Sequence, residues 1–207
     1  MVVKESYPFV ATGLFFSILL IAFFGVFGLP TLIIPAYIAY FFRNPRRTIP
    51  SEKNLILAPA DGRILTVGEG EEKRYLQKKM KKVSIFMSPM DVHLNRIPYS
   101  GKIKKVFYNH GKYLAAFKEK ASLDNEQNAV LLETERGDEI LFVQIAGWLA
   151  RRIVCYLKGG ETVERGQRYG LIRFGSRMDV YLPSTVELLV SVGERAKAGE
   201  TAIARFL

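Results

Sequence analysis

Two short segments near the C-terminus share one pattern, GETVERG at residues 160–166 and GERAKAG at residues 193–199. Each has the form Gly-Glu-x4-Gly, and each leads toward a phenylalanine, Phe174 or Phe206. Glycine supplies the positive φ angles that tight turns between strands require. The repeat predicts two related hairpins that fold over each other in a pseudo-symmetric β-sandwich, with the segment around Gly175 at a hairpin tip.

The chain after Pro50 also has a β-rich pattern, since short apolar runs alternate with Gly, Asn and Asp. Many short strands at close spacing are typical of a sandwich or barrel rather than of βαβ units. Strands are predicted at residues 55–57, 62–67, 82–87, 101–107, 129–134, 139–144, 153–156, 169–174, 178–182 and 185–190. Residues 148–152 are predicted as a single turn or a loop. The expected fold is mainly β, a β-sandwich or barrel-sandwich hybrid.

Composition sets limits on the class of protein. The 207 residues carry a net charge of +10, and the whole excess lies in residues 43–175. A basic middle can face nucleic acid, an anionic membrane or an anionic substrate. Its densest part, residues 73–82, is either a solvated turn or a contact with anionic lipid. The single cysteine, Cys155, excludes a disulfide scaffold and is interpreted as a small buried apolar residue.

The N-terminal region decides among these partners, because no charged residue occurs from Tyr7 to Phe42. Phe9 to Phe27 would form roughly 28 Å of helix, close to the hydrocarbon thickness of a bilayer, whereas residues 32–42 are too short to span one upright. Three arrangements fit: one span plus an interfacial helix, a tight hairpin with a short or re-entrant second arm, or two arms within one leaflet. A cleaved signal peptide and a buried soluble hairpin are less favoured.

The basic cluster RNPRR at residues 43–47 follows this apolar region directly. Basic residues beside an apolar run favour the cytoplasmic side and anionic head groups. We therefore expect residues 1–43 to form a helical membrane-associating segment and residues 44–207 to form a β-rich domain on the cytoplasmic face of the cell membrane. Nucleic acid is not an expected partner.

Several segments carry side chains capable of chemistry. They are APADG at 58–62, MSPMDVHLNR at 87–96, DNEQN at 124–128 and FGSRMDVYLP at 174–183. Taken singly, each is ambiguous: Asp61 before a glycine is typical of a turn, and His93 in an apolar stretch is typical of a structural histidine. Together, Asp61, His93 and Ser176 could form an activated hydroxyl. The two histidines lie in separate segments without metal-ligand spacing, so no metal is expected.

The ordered set of motifs resembles the phosphatidylserine decarboxylase proenzymes in their short, archaeal-like form. The resemblance covers most of residues 40–190, through FRNPRR at 42–47, PADG at 59–62, MDVHLNR at 90–96 and the Gly175-Ser176 pair before DVYLP. Two positions depart from the family pattern. Arg177 stands where many members have threonine, and Arg96 stands where longer members have a second histidine. The proton-transfer roles that longer members divide between two histidines therefore cannot both be carried over.

The resemblance implies a self-processing enzyme that carries a pyruvoyl group derived from Ser176, without a metal or pyridoxal phosphate. Ser176 would attack the Gly175 carbonyl, and cleavage would give a large chain of residues 1–175 and a small chain of residues 176–207. The two chains are expected to stay associated because strands on both sides of the cut belong to one sheet. A homo-oligomer is left open.

In the mature enzyme, the resemblance implies a Schiff base between the pyruvoyl group and phosphatidylserine or archaetidylserine. Loss of carbon dioxide would then give the corresponding ethanolamine lipid. His93 is the expected base and proton donor, and Asp61 is its expected orienting partner. Basic residues would hold the phosphodiester, with Arg96, Arg43 and Arg46 as candidates.

Three alternatives remain at this point. A membrane-anchored biotinyl- or lipoyl-like carrier would need a lysine at the hairpin tip, where the chain has Gly175-Ser176-Arg177 instead. A non-enzymatic basic lipid-binding module would explain the charge and the anchor, but not the joint presence of Asp61, His93 and Ser176. A serine hydrolase would use these side chains in an intact chain.

Overall fold

The computed structural model describes residues 2–111, 125–147, 152–173 and 176–207. The chain forms two compact units, Met1–Arg46 and Arg47–Leu207. The predicted turn or loop at residues 148–152 falls almost wholly outside the described residues.

The first unit is a helical hairpin. After a 3-10 turn at Lys4–Ser6, α1 spans Tyr7–Phe24 and begins with a proline in its first turn, where the missing N–H costs nothing. Gly25 ends α1 with a φ of 58°. A 3-10 segment, Gly25–Leu32, then leads into α2, Ile33–Phe41.

The two ends of this hairpin meet. Val2 forms a β-bridge with Arg43, and the Val3 N–H donates to the Phe42 carbonyl at 3.2 Å. A Cβ on Gly28 would lie 2.6 Å from the backbone nitrogen of Ile21, so the turn packs against α1 through a position that admits only glycine. The chain therefore enters and leaves this unit on one side.

The second unit consists of fourteen described strands, all paired antiparallel. They are β1 Leu55–Leu57, β2 Gly62–Glu72, β3 Lys78–Met87, β4 Leu94–Arg96, β5 Gly101–Asn109, β6 Gln127–Glu133, β7 Glu139–Ile145, β8 Ile153–Cys155, β9 Thr162–Val163, β10 Arg168–Ile172, β11 Ser176–Leu182, β12 Val186–Leu188, β13 Arg195–Ala196 and β14 Ala202–Phe206.

The sheets confirm the predicted mainly β, pseudo-symmetric architecture. The large sheet has the order β13-β2-β3-β11-β7-β6-β5-β9, and the two small sheets have the orders β1-β14-β12 and β4-β10-β8. Exchanging β1–β3 with β4–β6, and β7–β10 with β11–β14, reverses the order of the large sheet and converts one small sheet into the other. The two central strands, β11 and β7, are equivalent under this exchange.

The Gly-Glu-x4-Gly segments are equivalent in the structure, as the repeat predicts. They contain the edge strands β9 and β13, which pair with β5 and β2 at opposite ends of the large sheet. Their four glycines have φ angles between 78° and 95°. Residues with a Cβ rarely adopt this conformation, which explains the spacing of the glycines.

The main core is formed by residues from all three sheets. Its large side chains include Ile56, Ile85, Phe142 and Tyr169, all fully buried. Cys155 is half-buried and packs against this core. The opposite face of the large sheet carries a smaller apolar cluster around Leu141. Alternate residues of β11 therefore face two different interiors.

The structure differs from the sequence prediction in four additional strands and in one connection. Short strands β4, β9, β13 and β14 were not predicted, because their apolar runs are too brief to show a period. The link around Gly175 was expected to be a hairpin tip within one sheet. Instead, β10 belongs to a small sheet and β11 to the large sheet, so the chain passes between sheets there. Gly175 itself lies outside the described residues.

Candidate active site

Ser176 is the first residue of β11 and is fully buried. It lies opposite Met87 of β3, and its hydroxyl donates to the Met87 thioether sulfur at 3.9 Å. Met178 and Val180 follow on the same face of the strand and belong to the main core. The Ser176 hydroxyl is therefore held inside the protein, at the junction between β10 and β11.

His93 is buried directly before β4. Its carbonyl accepts from the N–H of Ile172, the last residue of β10, at 3.2 Å. Its Nδ1 lies 2.9 Å from the Asp91 carbonyl oxygen. Because a carbonyl only accepts, Nδ1 carries a hydrogen, which leaves Nε2 as the basic nitrogen of the neutral ring. His93 is thus placed beside the β10 end of the link to Ser176 with its tautomer set.

Asp91 fixes the turn that carries His93. One carboxylate oxygen accepts from both the backbone N–H and the hydroxyl of Ser88, each at 2.8 Å. The other oxygen pairs with Arg195. Sequence reasoning missed this role, although the Ser-x-x-Asp spacing before His93 is the signal that could have shown it.

Asp61 was expected to orient His93, but the structure gives its carboxylate other partners. Arg47 donates to both Asp61 oxygens at 2.8 Å, and the N–H of Ala198 donates to one of them at 2.9 Å. The Arg47 side chain is nearly buried in this pair. Asp61 therefore binds Arg47, the last arginine of the RNPRR segment, while the His93 ring contacts the Asp91 carbonyl.

Arg96 lies half-buried at the end of β4 and donates to the Gly166 carbonyl at 2.9 Å. Burial lowers the pKa of Arg96, and the nearby charges of Arg47 and Arg168 lower it further. The carboxylates of Asp61 and Glu200 act in the opposite direction. The guanidinium groups of Arg96, Arg47 and Arg168 thus outnumber the two carboxylates near Arg96. The excess positive charge suits an anionic group.

The other two candidate phosphodiester ligands, Arg43 and Arg46, belong to the first unit. The Arg43 guanidinium lies 3.7 Å from the centre of the Tyr40 ring and donates to the Tyr40 carbonyl. Arg46 is exposed. The structure groups Arg96 with Arg47 and Arg168 in the second unit.

A buried ion pair lies on the other face of β11. Arg177 donates to both oxygens of Asp179 at 2.6 and 2.8 Å, and Lys82 of β3 lies 3.0 Å from Asp179. Burial alone would raise the pKa of Asp179, but the charges of Arg177 and Lys82 outweigh it and hold the pKa below its usual value. A cavity of about 320 Å³ adjoins this cluster. The cluster ties the start of β11 to β3.

Comparison with known proteins shows the family to which the chain belongs. The family model described as Phosphatidylserine decarboxylase matches residues 34–204, which is most of the chain. The chain belongs to the phosphatidylserine decarboxylase family. It is 48% identical over 201 residues to the phosphatidylserine decarboxylase proenzyme of Geotalea uraniireducens, covering 97% of this chain and 94% of the relative.

Other relatives carry the same name. The phosphatidylserine decarboxylase proenzyme of Syntrophotalea carbinolica is 50% identical over 202 residues, covering 96% of this chain and 94% of its own length. That of Rickettsia akari is 48% identical over 206 residues, covering 98% and 89%. Membership of this decarboxylase family identifies the chain as an enzyme and decides against a non-enzymatic lipid-binding module.

The phosphatidylserine decarboxylase match includes the positions of Asp61, His93 and Ser176. The structure places His93 beside the end of β10 and Ser176 at the start of β11, and it pairs Asp61 with Arg47. Among the described residues, no three His, Cys, Asp or Glu side chains are grouped as a metal site requires.

Proposed function

We propose that this chain is a proenzyme that cleaves itself between Gly175 and Ser176 and then decarboxylates phosphatidylserine, or its ether-linked archaeal-type equivalent. The products are the ethanolamine lipid and carbon dioxide. The observation that carries the proposal is the buried Ser176 hydroxyl at the start of β11, in a chain whose near full-length relatives are named as proenzymes.

Self-cleavage begins with the Ser176 hydroxyl. Its oxygen attacks the Gly175 carbonyl carbon while a base, proposed to be His93 Nε2, takes the hydroxyl proton. The amide C–N bond breaks, the Ser176 nitrogen receives a proton, and an ester joins the two residues. Removal of the Ser176 α-proton then breaks the Cβ–oxygen bond, and the electron pair leaves with the oxygen as the Gly175 carboxylate. Water replaces the nitrogen, which departs as ammonia.

The described residues fit a pyruvoyl group at position 176, because this position starts a strand inside the protein and is lined by an apolar core with few polar groups. The group supplies a carbonyl that accepts the electrons released when carbon dioxide leaves. His93 then has a second task, since its ring nitrogen can return a proton to the reacting carbon. The buried location limits access of competing water.

Arg96 is the proposed ligand of the substrate phosphodiester, with Arg168 and Arg47 beside it. The side chain of Arg96 follows His93 by three residues in the same segment, so it stands close to the proposed proton-transfer group along the chain. The excess of guanidinium over carboxylate groups in this cluster suits a singly charged phosphodiester. Arg43 and Arg46 of the first unit remain further candidates.

The two fragments are proposed to remain together after cleavage. The sequence predicted that strands on both sides of the cut belong to one sheet, whereas β10 and β11 belong to different sheets. The proposed reason is instead that β11 pairs with β3 and β7 of the large chain. The β14 strand of the small chain also pairs with β1 of the large chain. The Asp179–Lys82 ion pair adds a buried link between the fragments.

We expect Asp179→Asn to weaken this association strongly. Removing one partner leaves Arg177 and Lys82 buried without their counter-charge, which typically costs about 3–5 kcal/mol. Because the pKa of Asp179 is lowered on folding, the stabilisation is present above the ordinary aspartate pKa of about 4 and is lost as the pH falls through the folded value. Release of the small chain is measured by size exclusion in increasing urea at pH 7 and at pH 3.

The matched control for that experiment is Glu187→Gln. Glu187 pairs with Arg205 within the small chain, and both side chains are exposed, so the pair contributes little. Equal release of the small chain from both variants at pH 7 would contradict the assigned role of Asp179.

The apolar hairpin is proposed to hold the enzyme at the cytoplasmic face of the cell membrane. The stretch Lys4–Phe41 is long and apolar enough to cross a membrane, and only 6% of its most apolar window is buried in the protein. Large exposed side chains such as Phe16, Phe23 and Phe27 suit contact with lipid. A lipid substrate would then keep its acyl chains in the bilayer while its head group reaches the active site.

Removal of residues 2–42 should release the protein from liposomes that contain phosphatidylserine, as measured by flotation. Self-cleavage should persist, because Ser176 and His93 belong to the compact unit Arg47–Leu207. Persistent cleavage therefore serves as the control for folding. Tight liposome binding by the cleaved, truncated protein would contradict the anchor and would assign binding to the basic residues at 73–82.

The function itself is tested by incubating the purified, self-cleaved protein with phosphatidylserine in detergent micelles and measuring ethanolamine lipid and carbon dioxide. Formation of both products in equal amounts supports the proposal. A fully cleaved protein that forms neither product would contradict it.

A further inference from the structure

Three side-chain amides form a buried chain through the centre of the second unit. They belong to Asn95 of β4, Gln144 of β7 and Asn128 of β6, and each is at most 2% exposed. The Asn128 amide nitrogen donates to the Gln144 side-chain oxygen at 3.0 Å, and the Gln144 amide nitrogen donates to the Asn95 side-chain oxygen at 2.9 Å. Buried polar groups are costly unless they are bonded, so this chain calls for a reason.

The hydrogen bonds fix which way each amide points. Gln144 faces the Val154 carbonyl at 3.5 Å, and a carbonyl only accepts, so the Gln144 group on that side is its NH₂. The same NH₂ meets Asn95, so the Asn95 atom facing it is the oxygen. The Asn95 NH₂ therefore points the other way.

The Asn95 NH₂ points toward the site of self-cleavage. Its nitrogen lies 3.8 Å from the Met87 sulfur, and the Ser176 hydroxyl oxygen lies 3.9 Å from the same sulfur. Two strong donors thus converge on one thioether, which is a weak acceptor. Among the described residues, both donors contact this sulfur as their acceptor, so both can change partner at little cost when a negative charge appears nearby.

We propose that Asn95 is a further catalytic residue for self-cleavage, and that Gln144 and Asn128 are its positioning residues. The inference rests on the proposed function. Asn95 Nδ2–H donates to the Ser176 side-chain oxygen in the elimination step, when the Cβ–oxygen bond breaks and the electron pair moves onto that oxygen. The base takes the α-proton, and the departing oxygen becomes part of the Gly175 carboxylate.

The contact with the Met87 sulfur explains why the Asn95 donor favours the transition state over the ground state. A donor already bonded to the serine hydroxyl would stabilise the ground state as well as the transition state, and would gain nothing in rate. A donor that contacts the sulfur exchanges this weak acceptor for a charged oxygen only as the Cβ–oxygen bond breaks. Donors placed in this way in a water-excluded site are typically worth a factor of about 10² to 10³ in rate.

The test compares Asn95→Asp with wild type, and Asn54→Asp as the matched control. Asn95→Asp keeps the size and the oxygen that Gln144 binds but removes the N–H donors, whereas the Asn54 amide donates to the Phe206 carbonyl. We expect self-cleavage to slow by a factor of about 10² or more in Asn95→Asp, followed by intact mass, and to be unchanged in Asn54→Asp.

Neutral hydroxylamine separates a defect in elimination from a defect in folding. Because the proposed step follows ester formation, the uncut Asn95→Asp chain should accumulate the ester. Hydroxylamine should then release a small chain that begins with an unmodified Ser176 and a large chain that ends in a hydroxamate at Gly175. Asn95→Ser, scored in the same way, provides a second variant of smaller size.

Cleavage at the wild-type rate by either variant would overturn the proposal, and so would a folded, uncut variant that hydroxylamine does not cleave. Failure of the wild-type chain to cleave itself would instead overturn the proposed function, so the two failures are distinguishable.

Discussion

Ser176→Ala is expected to leave the chain whole at 207 residues and to abolish decarboxylation. The substitution removes only the hydroxyl oxygen, which contacts the Met87 sulfur, and alanine fits the buried start of β11. Without that oxygen neither the ester nor the pyruvoyl group can form. The expected loss of cleavage is complete, as measured by denaturing electrophoresis and intact mass, and product formation should fall to background.

Ser184→Ala is the matched control, because it makes the same change at an exposed serine just after β11. It should cleave and turn over at wild-type rates. Decarboxylase activity in the Ser176→Ala variant would show that the pyruvoyl mechanism is wrong.

His93→Gln should show the second largest effect, a loss of self-cleavage by a factor of about 10² to 10⁴. Glutamine keeps a polar side chain of similar reach, but it lacks a nitrogen that can accept a proton. In His93 the Asp91 carbonyl holds the hydrogen on Nδ1 and leaves Nε2 as the base. The rate of cleavage is followed by intact mass from the time of refolding.

The chain contains one other histidine, His110, which is exposed at the end of β5. His110→Gln is therefore the control, and its cleavage should match wild type. Cleavage of His93→Gln at the normal rate would remove His93 from the processing step and restrict any role to the lipid reaction.

Local patterns in the sequence predicted the parts of the fold that depend on neighbouring residues. Short apolar runs separated by Gly, Asn and Asp placed ten strands near their observed positions, because turn residues mark where strands end. The repeated glycines at 160, 166, 193 and 199 predicted the pseudo-symmetry, because each requires a positive φ.

The parts that were not predicted depend on contacts between distant segments. Asn95 meets Gln144 across 49 residues, and Ala198 reaches Asp61 across 137 residues. No local period shows such pairs. The sequence therefore named Asp61, His93 and Ser176 as candidates, but it did not predict the pair between Asp61 and Arg47.

The link at Gly175 was misassigned because the sequence does not show which strands pair. Two apolar strands joined by a short segment look alike in sequence whether they form a hairpin or pass between sheets. Here β10 pairs with β4 and β8, while β11 pairs with β3 and β7. The passage between sheets brings His93 and Ser176 to the same short link.

The most direct test of the central claim is the intact mass of the purified protein together with the chemistry of its small chain. The account predicts two chains, residues 1–175 and 176–207, with a small chain that has no terminal amine and reacts with a hydrazide reagent. A single chain of 207 residues, or a small chain that begins with a free serine amine, would contradict it.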